Sequence, residues 1–433
     1  MKQYLEYKDS ELEWFGEMPS DWKISSCRAI VFERNIRNDK NQSENYLSLM
    51  ARIGVVPYEE KGNIGNKKPN DLKKCKIVNI GDFVINSMNY YIGSYGMSEY
   101  FGICSPVYIV LSPNKSIIEP KFAFRIFENS TFQKLAQSYG NGILEHRRMI
   151  NWDILKNIKI PLPPLDMQRK IVAYLDSKVA CIDAMIAGKQ KMIHLLEESQ
   201  NVIINDVVTK GLDSNSKTKN SGIEAIGEIP AHWNLKKLRY LGTCQNGLSK
   251  GGDSFGSGYP FVSYGDVYKN IELPQNIDGL VESSDTERAN ISVLKGDVFF
   301  TRTSETIEEV ALTSTCLHTL ENATFSGFLI RFRPNTEELS PNFSKYYFRS
   351  QLHRAYFVKE MNLVTRASLS QDLLKNLPVL LPPKNEQENI ADFLDNKIFY
   401  MNQLRSDSSK QIEKLKEYRQ SIISEVVTGK VEI

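Results

Sequence analysis

Two short stretches of the chain combine amide, hydroxyl, aromatic and guanidinium side chains. Residues 86–96 (NSMNYYIGSYG) place them around glycines, and residues 301–304 (TRTS) hold the corresponding position in the second half of the chain. Arginine suits guanine and asparagine suits adenine in bidentate hydrogen bonding to base edges. These stretches therefore predict surfaces that read DNA bases. The candidates are Asn86, Asn89, Tyr90, Tyr91, Arg302 and Thr303.

Basic residues offer a second kind of contact, to phosphate. Such contacts position a protein on the DNA backbone without reading sequence, but each basic pair is also typical of a solvated surface. Arg147 and Arg366 are stronger candidates because they align when the halves of the chain are compared, although a structural salt bridge there is an equal alternative. The basic candidates are Lys67, Lys68, Arg147, Arg148, Lys250 and Arg366, with the pairs Lys73-Lys74 and Lys236-Lys237 considered beside them.

The sequence lacks familiar catalytic motifs. Its Pro-Pro pairs are followed by Leu165 and Lys384, so neither completes the Asn/Asp-Pro-Pro-aromatic tetrapeptide of adenine methyltransferases. No GxxxxGK[ST] phosphate loop occurs. The five histidines lack metal-ligand spacing, and Glu59-Glu60-Lys61 is more typical of a solvated turn than of a nuclease motif. We therefore predict a binding protein with no catalytic residues and no metal site.

The elements that must position these side chains occur twice. LKNIKIPLPPLDMQRKIVAYLD begins at Leu155 and returns as LKNLPVLLPPKNEQENIADFLD from Leu374. Each copy predicts a short strand, a Pro-Pro stop and a long helix, with Asp166 and Asn385 as N-caps. Apolar residues recur in two columns seven residues apart, which is typical of a coiled-coil seam, and we infer a rod of two antiparallel copies. The seam residues are Leu175, Val179, Ile182, Ile186, Ile193, Leu196, Ile203, Leu394, Ile398, Met401, Ile412, Leu415 and Ile422.

Each long helix is preceded by a variable module that opens in the same way. SELEWFGEMPSDWK returns as SGIEAIGEIPAHWN, and we predict that Trp22 and Trp233 are buried at this turn. Inside the modules VNIGDFVIN still matches VLKGDVFFT. The pattern predicts strands at residues 83–86, 107–111, 298–301 and 328–332 and helices at residues 120–137 and 341–359. One α+β scaffold with different loops therefore occurs twice.

Composition and charge bound the remaining possibilities. The net charge of +2 requires any nucleic-acid binding to come from local basic patches. The absence of an apolar signal core or membrane-length run, together with scattered cysteines, predicts a cytoplasmic protein with reduced thiols.

The predicted domains are residues 1–150 (N-terminal segment and first module), 151–210 (first strand and long helix), 211–232 (linker and repeated segment), 233–369 (second module) and 370–433 (second strand and long helix).

This arrangement resembles the specificity (S) subunit of type I restriction-modification enzymes over essentially the whole chain. The resemblance is carried by GEMPSDW and GEIPAHW before the modules, IGDFVINSM and GICSPVYIVL inside the first, and LPPLDMQRKIVAYLD and LPPKNEQENIADFLD at the long helices. The second module departs after its Gly-Asp landmark (FFTRTSETIEEVAL), as expected where the two modules recognise different sequences.

The resemblance implies an α+β fold with two target-recognition domains, two long antiparallel coiled-coil helices between them and an internal pseudo-two-fold repeat. It implies a non-catalytic subunit whose domains each read half of a bipartite double-stranded DNA target, while the helix pair sets the spacer. Two modification (M) subunits would methylate adenine from S-adenosylmethionine. Two restriction (R) subunits, where present, would add ATP-dependent cleavage, so this chain itself would bind neither cofactor. Residues 1–20 would lie near residues 428–433, reproducing the internal junction at residues 209–230.

Two hypotheses from other classes stay open at the level of sequence. One is a non-catalytic scaffold whose duplicated domains bind proteins, and the other is an enzyme with unfamiliar catalytic residues. Salt dependence separates the first from DNA binding, because phosphate contacts make affinity fall steeply with added salt. Methyl transfer by the isolated chain would reveal the second.

Overall fold

The computed structural model describes residues 3–12, 14–51, 53–63, 67–140, 148–223, 226–304, 310–350, 352–353, 356–357 and 367–433. The chain divides into two compact units. Unit 1 comprises Met1–Lys189 and Ser409–Ile433, and unit 2 comprises Gln190–Ser408. The division falls inside both long helices, so each unit contains one variable module and part of each long helix.

Each long helix begins directly after a Pro-Pro pair. The first long helix spans Leu165–Lys210 and the second spans Lys384–Val427. Proline cannot continue a helix backwards from this point because it lacks the amide hydrogen and restricts the residue before it. Both helices start two residues earlier than N-caps at Asp166 and Asn385 would place them, so these residues lie within the first turn and are not the N-caps. A carboxylate there is still stabilised by the positive end of the helix dipole.

A glycine with left-handed backbone follows the end of each long helix. Gly211 has φ of +76° and Gly429 has φ of +74°. A Cβ added to Gly429 would lie 2.4 Å from Cδ of Pro19, and one added to Gly211 would lie 3.2 Å from the ring of Trp233. Glycine is therefore required at both positions for conformation and for space. It lets the segment that opens each module pack closely against a helix end.

A hairpin opens each module in the same register. The paired strands are Tyr7–Asp9 with Glu17–Pro19, and Thr218–Asn220 with Glu228–Pro230. Within unit 1 the Tyr7 hydroxyl donates to the backbone carbonyl of Lys430 (3.3 Å). The N-terminal segment thus lies beside the C-terminal segment, as the resemblance implied.

The first and last strands of each module pair with each other, and a buried tryptophan precedes the first of them. Trp22 and Trp233 are fully buried, which confirms that prediction. The strand after each tryptophan pairs antiparallel with the strand before the Pro-Pro pair, and the pairs are Lys23–Ser26 with Lys159–Leu162 and Asn234–Lys237 with Pro378–Leu381. The repeated sequence therefore forms a frame, and the variable residues lie between its two strands.

Each module is built on a four-stranded antiparallel sheet. The strand order is Val31–Glu33, Tyr108–Pro113, Phe83–Asn86, Tyr95–Met97 in the first module and Gly242–Asn246, Leu329–Pro334, Val298–Thr301, Thr313–Thr315 in the second. The Gly-Asp landmark precedes the third strand of each sheet. The four predicted strands are thus confirmed to within two residues at either end.

Smaller elements surround the sheets. The first module adds strands Leu47–Met50, Gly54–Pro57, Lys76–Val78 and Gly102–Cys104, helices Cys27–Ile30, Pro120–Glu128, Ser130–Ser138 and Trp152–Leu155, and 3-10 turns Tyr58–Lys61 and Leu72–Lys74. The second adds strands Phe255–Val262, Leu280–Val281, Thr303–Ser304, Thr324–Phe325 and Ala367–Ser368, helices Tyr264–Lys269, Asp285–Asn290, Pro341–Tyr347 and Gln371–Lys375, and 3-10 turns Leu238–Tyr240 and Gly252–Ser254.

The helix predicted over residues 120–137 is two helices. Asn129 separates Pro120–Glu128 from Ser130–Ser138 because its side chain accepts the backbone N–H groups of Thr131 and Phe132 as an N-cap. The helix predicted over residues 341–359 is described as Pro341–Tyr347, and part of its remainder lies outside the described residues.

The two long helices pack antiparallel within each unit. The pairs are Asp183 with Arg419 (3.0 Å) and Lys189 with Gln411 in unit 1, and Glu197 with Arg405 in unit 2. Rising residue numbers on the first helix meet falling numbers on the second. All thirteen predicted seam residues are buried or half-buried. Further buried positions beside the seam are Ile171, Ile204, Val208, Ile390, Ile423 and Val427, which belong to the cores that contain Trp22 and Trp233.

The second module contains a fully buried histidine. His353 lies against the ring of Tyr347 (4.4 Å between centroids), and its Nδ1 is 3.1 Å from the hydroxyl of Ser350. Burial lowers the pKa of His353 to about 3, although the backbone of Tyr347 opposes the shift. The unfolded chain binds this proton near pH 6.5, whereas the folded chain does not.

We therefore expect the unfolding free energy of unit 2 to fall by about 1.4 kcal/mol for each pH unit below 6.5, and the loss to level off near the folded pKa. Urea denaturation at pH 7 and pH 5 measures this loss. The His353→Leu variant should lose about 2 kcal/mol less than the original chain over that interval. Equal losses in the two proteins would contradict the assignment to His353.

Candidate nucleic-acid interface

In each module the segment after the Gly-Asp strand lies beside the segment that leads back to the repeat. The backbone N–H of Ile150 donates to the carbonyl of Ser87 (3.0 Å), and that of Leu369 donates to the carbonyl of Arg302 (2.7 Å). Ile150 aligns with Leu369 and Ser87 aligns with Arg302, so the two hydrogen bonds are equivalent. The structure thus brings together two segments that were predicted separately.

An exposed apolar side chain adjoins this junction in both modules. Val107 is 57% exposed and Phe328 is 64% exposed, each directly before a buried strand. The carbonyl of Val107 accepts the hydroxyl of Ser87 (3.1 Å), and the carbonyl of Phe328 accepts the backbone N–H of Arg302 (2.9 Å). We call residues 86–91, 107 and 148–150 the first edge, and residues 301–303, 328 and 368–369 the second edge. The sequence predicts Val107 and Phe328 only as strand residues, because their neighbours are distant along the chain.

A buried aspartate fixes the turn that leads into each edge. Asp82 accepts a backbone N–H of its own turn (2.8 Å) and pairs with Nε of Arg34 (2.7 Å). Asp297 accepts the equivalent N–H (2.7 Å) and pairs with Nε of Arg333 (2.7 Å). The Gly-Asp landmark is therefore a structural anchor, which explains why it persists while the residues after it differ.

One predicted base contact is wrong. Of the candidates, Asn89 and Tyr91 are exposed, and Asn86, Arg302 and Thr303 are half-buried. Tyr90 is fully buried in the core, and its hydroxyl donates to the backbone carbonyl of Phe127 (2.5 Å). Burial raises the pKa of Tyr90, so it stays a neutral donor. Its role is to hold the turn of the first edge to the core.

The loop that carries Lys250 lies next to the second edge. The guanidinium of Arg302 lies 3.5 Å from the carbonyl of Gly327, whose N–H donates to the carbonyl of Leu248 (2.8 Å). Lys250 follows two residues later and forms an ion pair with Glu287 (2.9 Å). The structure thus links the loops of two predicted residues, Arg302 and Lys250, through one glycine.

Of the other described basic candidates, Arg148 lies at the first edge, and Lys67 and Lys68 lie elsewhere in the first module. Arg148 belongs to the first edge, where its guanidinium donates to the carbonyl of Ser138 (3.1 Å). Lys67 is exposed, and Nζ of Lys68 is 3.4 Å from the carbonyl of Glu44. Arg147 and Arg366 lie outside the described residues. Two of the basic pairs show ion pairs typical of a solvated surface, which are Lys74 with Asp71 (3.8 Å) and Lys236 with Glu338 (2.6 Å).

Within the described ranges, no three His, Cys, Asp or Glu side chains are grouped as metal ligands would be. The described helices include none with the length and hydropathy to cross a membrane. All six cysteines are free, and four of them are buried.

Comparison with known proteins finds the same repeat. The family described as type I restriction modification DNA specificity domain matches residues 20–194 and again residues 230–414. The putative type I restriction enzyme MjaX specificity subunit of Methanocaldococcus jannaschii is 25% identical over 453 residues, covering 99% of this chain and 97% of that protein. The type I restriction enzyme EcoKI specificity subunit of Escherichia coli K12 is 25% identical over 446 residues, covering 96% and 90%.

Solved structures share the fold. A chain from a study of complex assembly and conformational transition of the type I R-M system has a TM-score of 0.72 at 18% identity, covering 96% of this chain and 99% of that one. The HsdS subunit of Thermoanaerobacter tengcongensis has a TM-score of 0.56 at 18% identity, covering 98% and 100%. The likeness in fold extends over nearly the whole chain in both cases.

Proposed function

Because this chain belongs to the type I restriction modification DNA specificity family, with both of its modules matched, we propose that each edge reads one half of a bipartite double-stranded DNA target. The first edge supplies amide and aromatic side chains, and the second supplies a guanidinium, hydroxyls and an exposed phenyl ring. Such groups suit base edges and thymine methyl groups in the major groove.

One observation carries the proposal. An equivalent backbone hydrogen bond builds the edge in each module, from Ile150 to Ser87 in the first and from Leu369 to Arg302 in the second, yet the side chains displayed there differ. A conserved frame with exchanged surface groups is what two readers of different half-sites require. A shared enzymatic site would instead require the same reactive groups twice.

The long helices set the distance between the half-sites in this proposal. Two antiparallel helices joined along an apolar seam resist bending, so a target whose halves are wrongly spaced cannot engage both edges. In this proposal, methyl transfer and DNA cleavage are carried out by other subunits. Two modification subunits would transfer methyl groups from S-adenosylmethionine to adenine, and two restriction subunits, where present, would use ATP and cleave. This chain would bind neither cofactor and would act in the cytoplasm, where its DNA lies.

The test is selection from random double-stranded DNA by the purified chain together with its modification subunit. We expect enrichment of two short sequences separated by a fixed number of unspecified bases. Affinity should fall steeply as salt rises, because phosphate contacts release counterions. Binding that is insensitive to salt and enriches no split sequence would favour a protein-binding scaffold and contradict the proposal.

Arg302 offers a test of a single half-site. We expect Arg302→Ala to cost about 1–3 kcal/mol of discrimination at one base position of one half, because a bidentate guanidinium contact to guanine is lost. Asn89→Ala removes an exposed amide of the first edge and should affect only the other half. Lys236→Ala, which removes an exposed ion pair with Glu338, is the control. A uniform loss of affinity across all sequences would instead assign Arg302 to a phosphate.

A further inference from the structure

A charged network joins the first module to the first long helix. The helix Pro120–Glu128 of the module carries Lys121 and Arg125, and both bond to Asp176 of the long helix (2.8 Å each). Partial burial alone would raise the pKa of Asp176, but the hydrogen bonds from Lys121 and Arg125 hold it below its ordinary value. The carboxylate is therefore ionised and fixed between two cations.

Arg419 extends this network to the second long helix. Its Nη1 lies 2.9 Å from Glu128, the last residue of the module helix, and its Nε lies 3.0 Å from Asp183 of the first long helix. Glu128 is only 5% exposed and also pairs with Arg125. The guanidinium of Arg419, on the second long helix, thus bonds both to the module helix and to the first long helix. All of these residues lie in unit 1.

Unit 2 repeats one part of this arrangement and lacks the other. Asp395, which aligns with Asp176, accepts Nζ of Lys345 (2.8 Å) and the hydroxyl of Tyr346. The residue that aligns with Arg419 is Gln200, which carries no charge. Gln200 lines a cavity of about 280 Å³ together with Tyr346. Among the described residues, this cationic contact from the opposite long helix therefore occurs in the first module, and the second module has the uncharged Gln200 at that position.

Charge-assisted hydrogen bonds have a preferred geometry, so a network of them restrains the orientation of the module on the long helices. Apolar packing is largely non-directional and restrains that orientation less. Direction matters for a split target, because one additional base pair moves a half-site by about 3.4 Å and turns it by about 35° around the duplex. A module free to rotate on the helix pair would accept neighbouring spacings. A module held by several charge-assisted bonds would not.

We propose that Arg419 is a positioning residue that sets the orientation of the first module on the two long helices and thereby restricts the spacer length of the target. The proposal rests on the function proposed above. Arg419 contacts no DNA in this view and acts through Glu128 and Asp183. Arg419 is a polar residue in a column of the apolar seam, and the proposal gives it a function.

The test compares spacer lengths selected from random DNA by the complex with its modification subunit. In Arg419→Gln we expect the share of targets with one base pair more or fewer to rise on the order of tenfold, the size of coupling that residues in one network display. The half-site sequences should not change. Arg419→Lys keeps the charge and should recover part of the restriction, and Glu128→Gln should broaden the spacing as Arg419→Gln does.

Arg405→Gln is the matched control, because it removes the pair with Glu197 between the long helices in unit 2 and leaves the first module untouched. Its spacer distribution should equal that of the original chain.

The proposal is overturned if Arg419→Gln and Glu128→Gln both lower the melting temperature but leave the spacer distribution unchanged. The network would then have a structural role only. A changed half-site sequence would overturn it by making Arg419 a base contact. Failure of the original chain to select any split target would instead refute the function on which the proposal rests.

Discussion

Replacing Asp297 with alanine is expected to lower the unfolding free energy of unit 2 by about 3–5 kcal/mol, because removing one partner leaves a buried charge uncompensated. Asp297 is fully buried, and both of its oxygens bond to Arg333 (2.7 and 2.6 Å). Arg331 lies nearby, and burial lowers its pKa to about 10, while Asp297 opposes that shift. Loss of the carboxylate therefore removes the neighbouring negative charge from two guanidinium groups, which keep hydrogen bonds to Ser292 and, for Arg331, to Gln245. Urea unfolding monitored by tryptophan fluorescence measures the change.

The equivalent replacement in unit 1 sharpens this prediction. Asp82→Ala removes the partner of a single arginine, Arg34, so its effect should be smaller than that of Asp297→Ala. Lys236→Ala, which breaks the exposed pair with Glu338, should change stability by less than about 1 kcal/mol. Equal and small effects in all three variants would show that the Gly-Asp landmark does not anchor the strand.

Lengthening both long helices by one heptad is expected to abolish binding to the original target and to create binding to a longer one. Seven residues add about 10 Å of helix, close to three base pairs of duplex. Inserting them between Lys189 and Gln190 and between Ser408 and Ser409 leaves the contacts inside each unit intact, because the units divide there. We expect at least about a hundredfold loss on the original target, since only one half-site can engage.

Affinity in the lengthened variant should return at a longer spacer, about three base pairs longer by distance alone. Targets with every spacer length are therefore compared, because the rotation of the half-site around the duplex also has to match. A matched control inserts seven polar residues after Asn215, in the turn between the first long helix and the hairpin strand Thr218–Asn220. That insertion lengthens the chain without lengthening either helix, so the preferred spacer should stay the same. Unchanged spacer preference in the helix variant would refute the view that the helices set the distance.

The repeated architecture is predictable from sequence because each of its signals is local. Heptad columns, a Pro-Pro stop and a short apolar run bounded by glycine each report on a few consecutive residues. Alignment of the chain with itself then shows which features the two halves share. The long helices and the central strands follow from such signals, whereas the hairpins that open the modules do not, and Thr218–Asn220 falls where the sequence predicts a linker. Both helices start two residues before the predicted position, directly after the second proline, so neither Asp166 nor Asn385 serves as the cap.

The edges are less predictable because they depend on contacts between distant segments. Tyr90 and Tyr91 are chemically equivalent in the sequence, and only the fold turns one into the core and the other towards solvent. Val107 and Phe328 become candidates through hydrogen bonds to Ser87 and Arg302. Arg419 appears in the sequence as a polar interruption of the seam, and its partner Glu128 is far away along the chain.

The anchoring aspartates take their cations from different strands in the two halves. Arg34 follows the strand Val31–Glu33, whereas Arg333 belongs to the strand Leu329–Pro334, and the residue that aligns with Arg333 in the first half is Ser112. The acid thus keeps its place in the repeat while the arginine reaches it from two directions. What the turn requires is a guanidinium beside a buried carboxylate, and more than one position of the sheet can supply it.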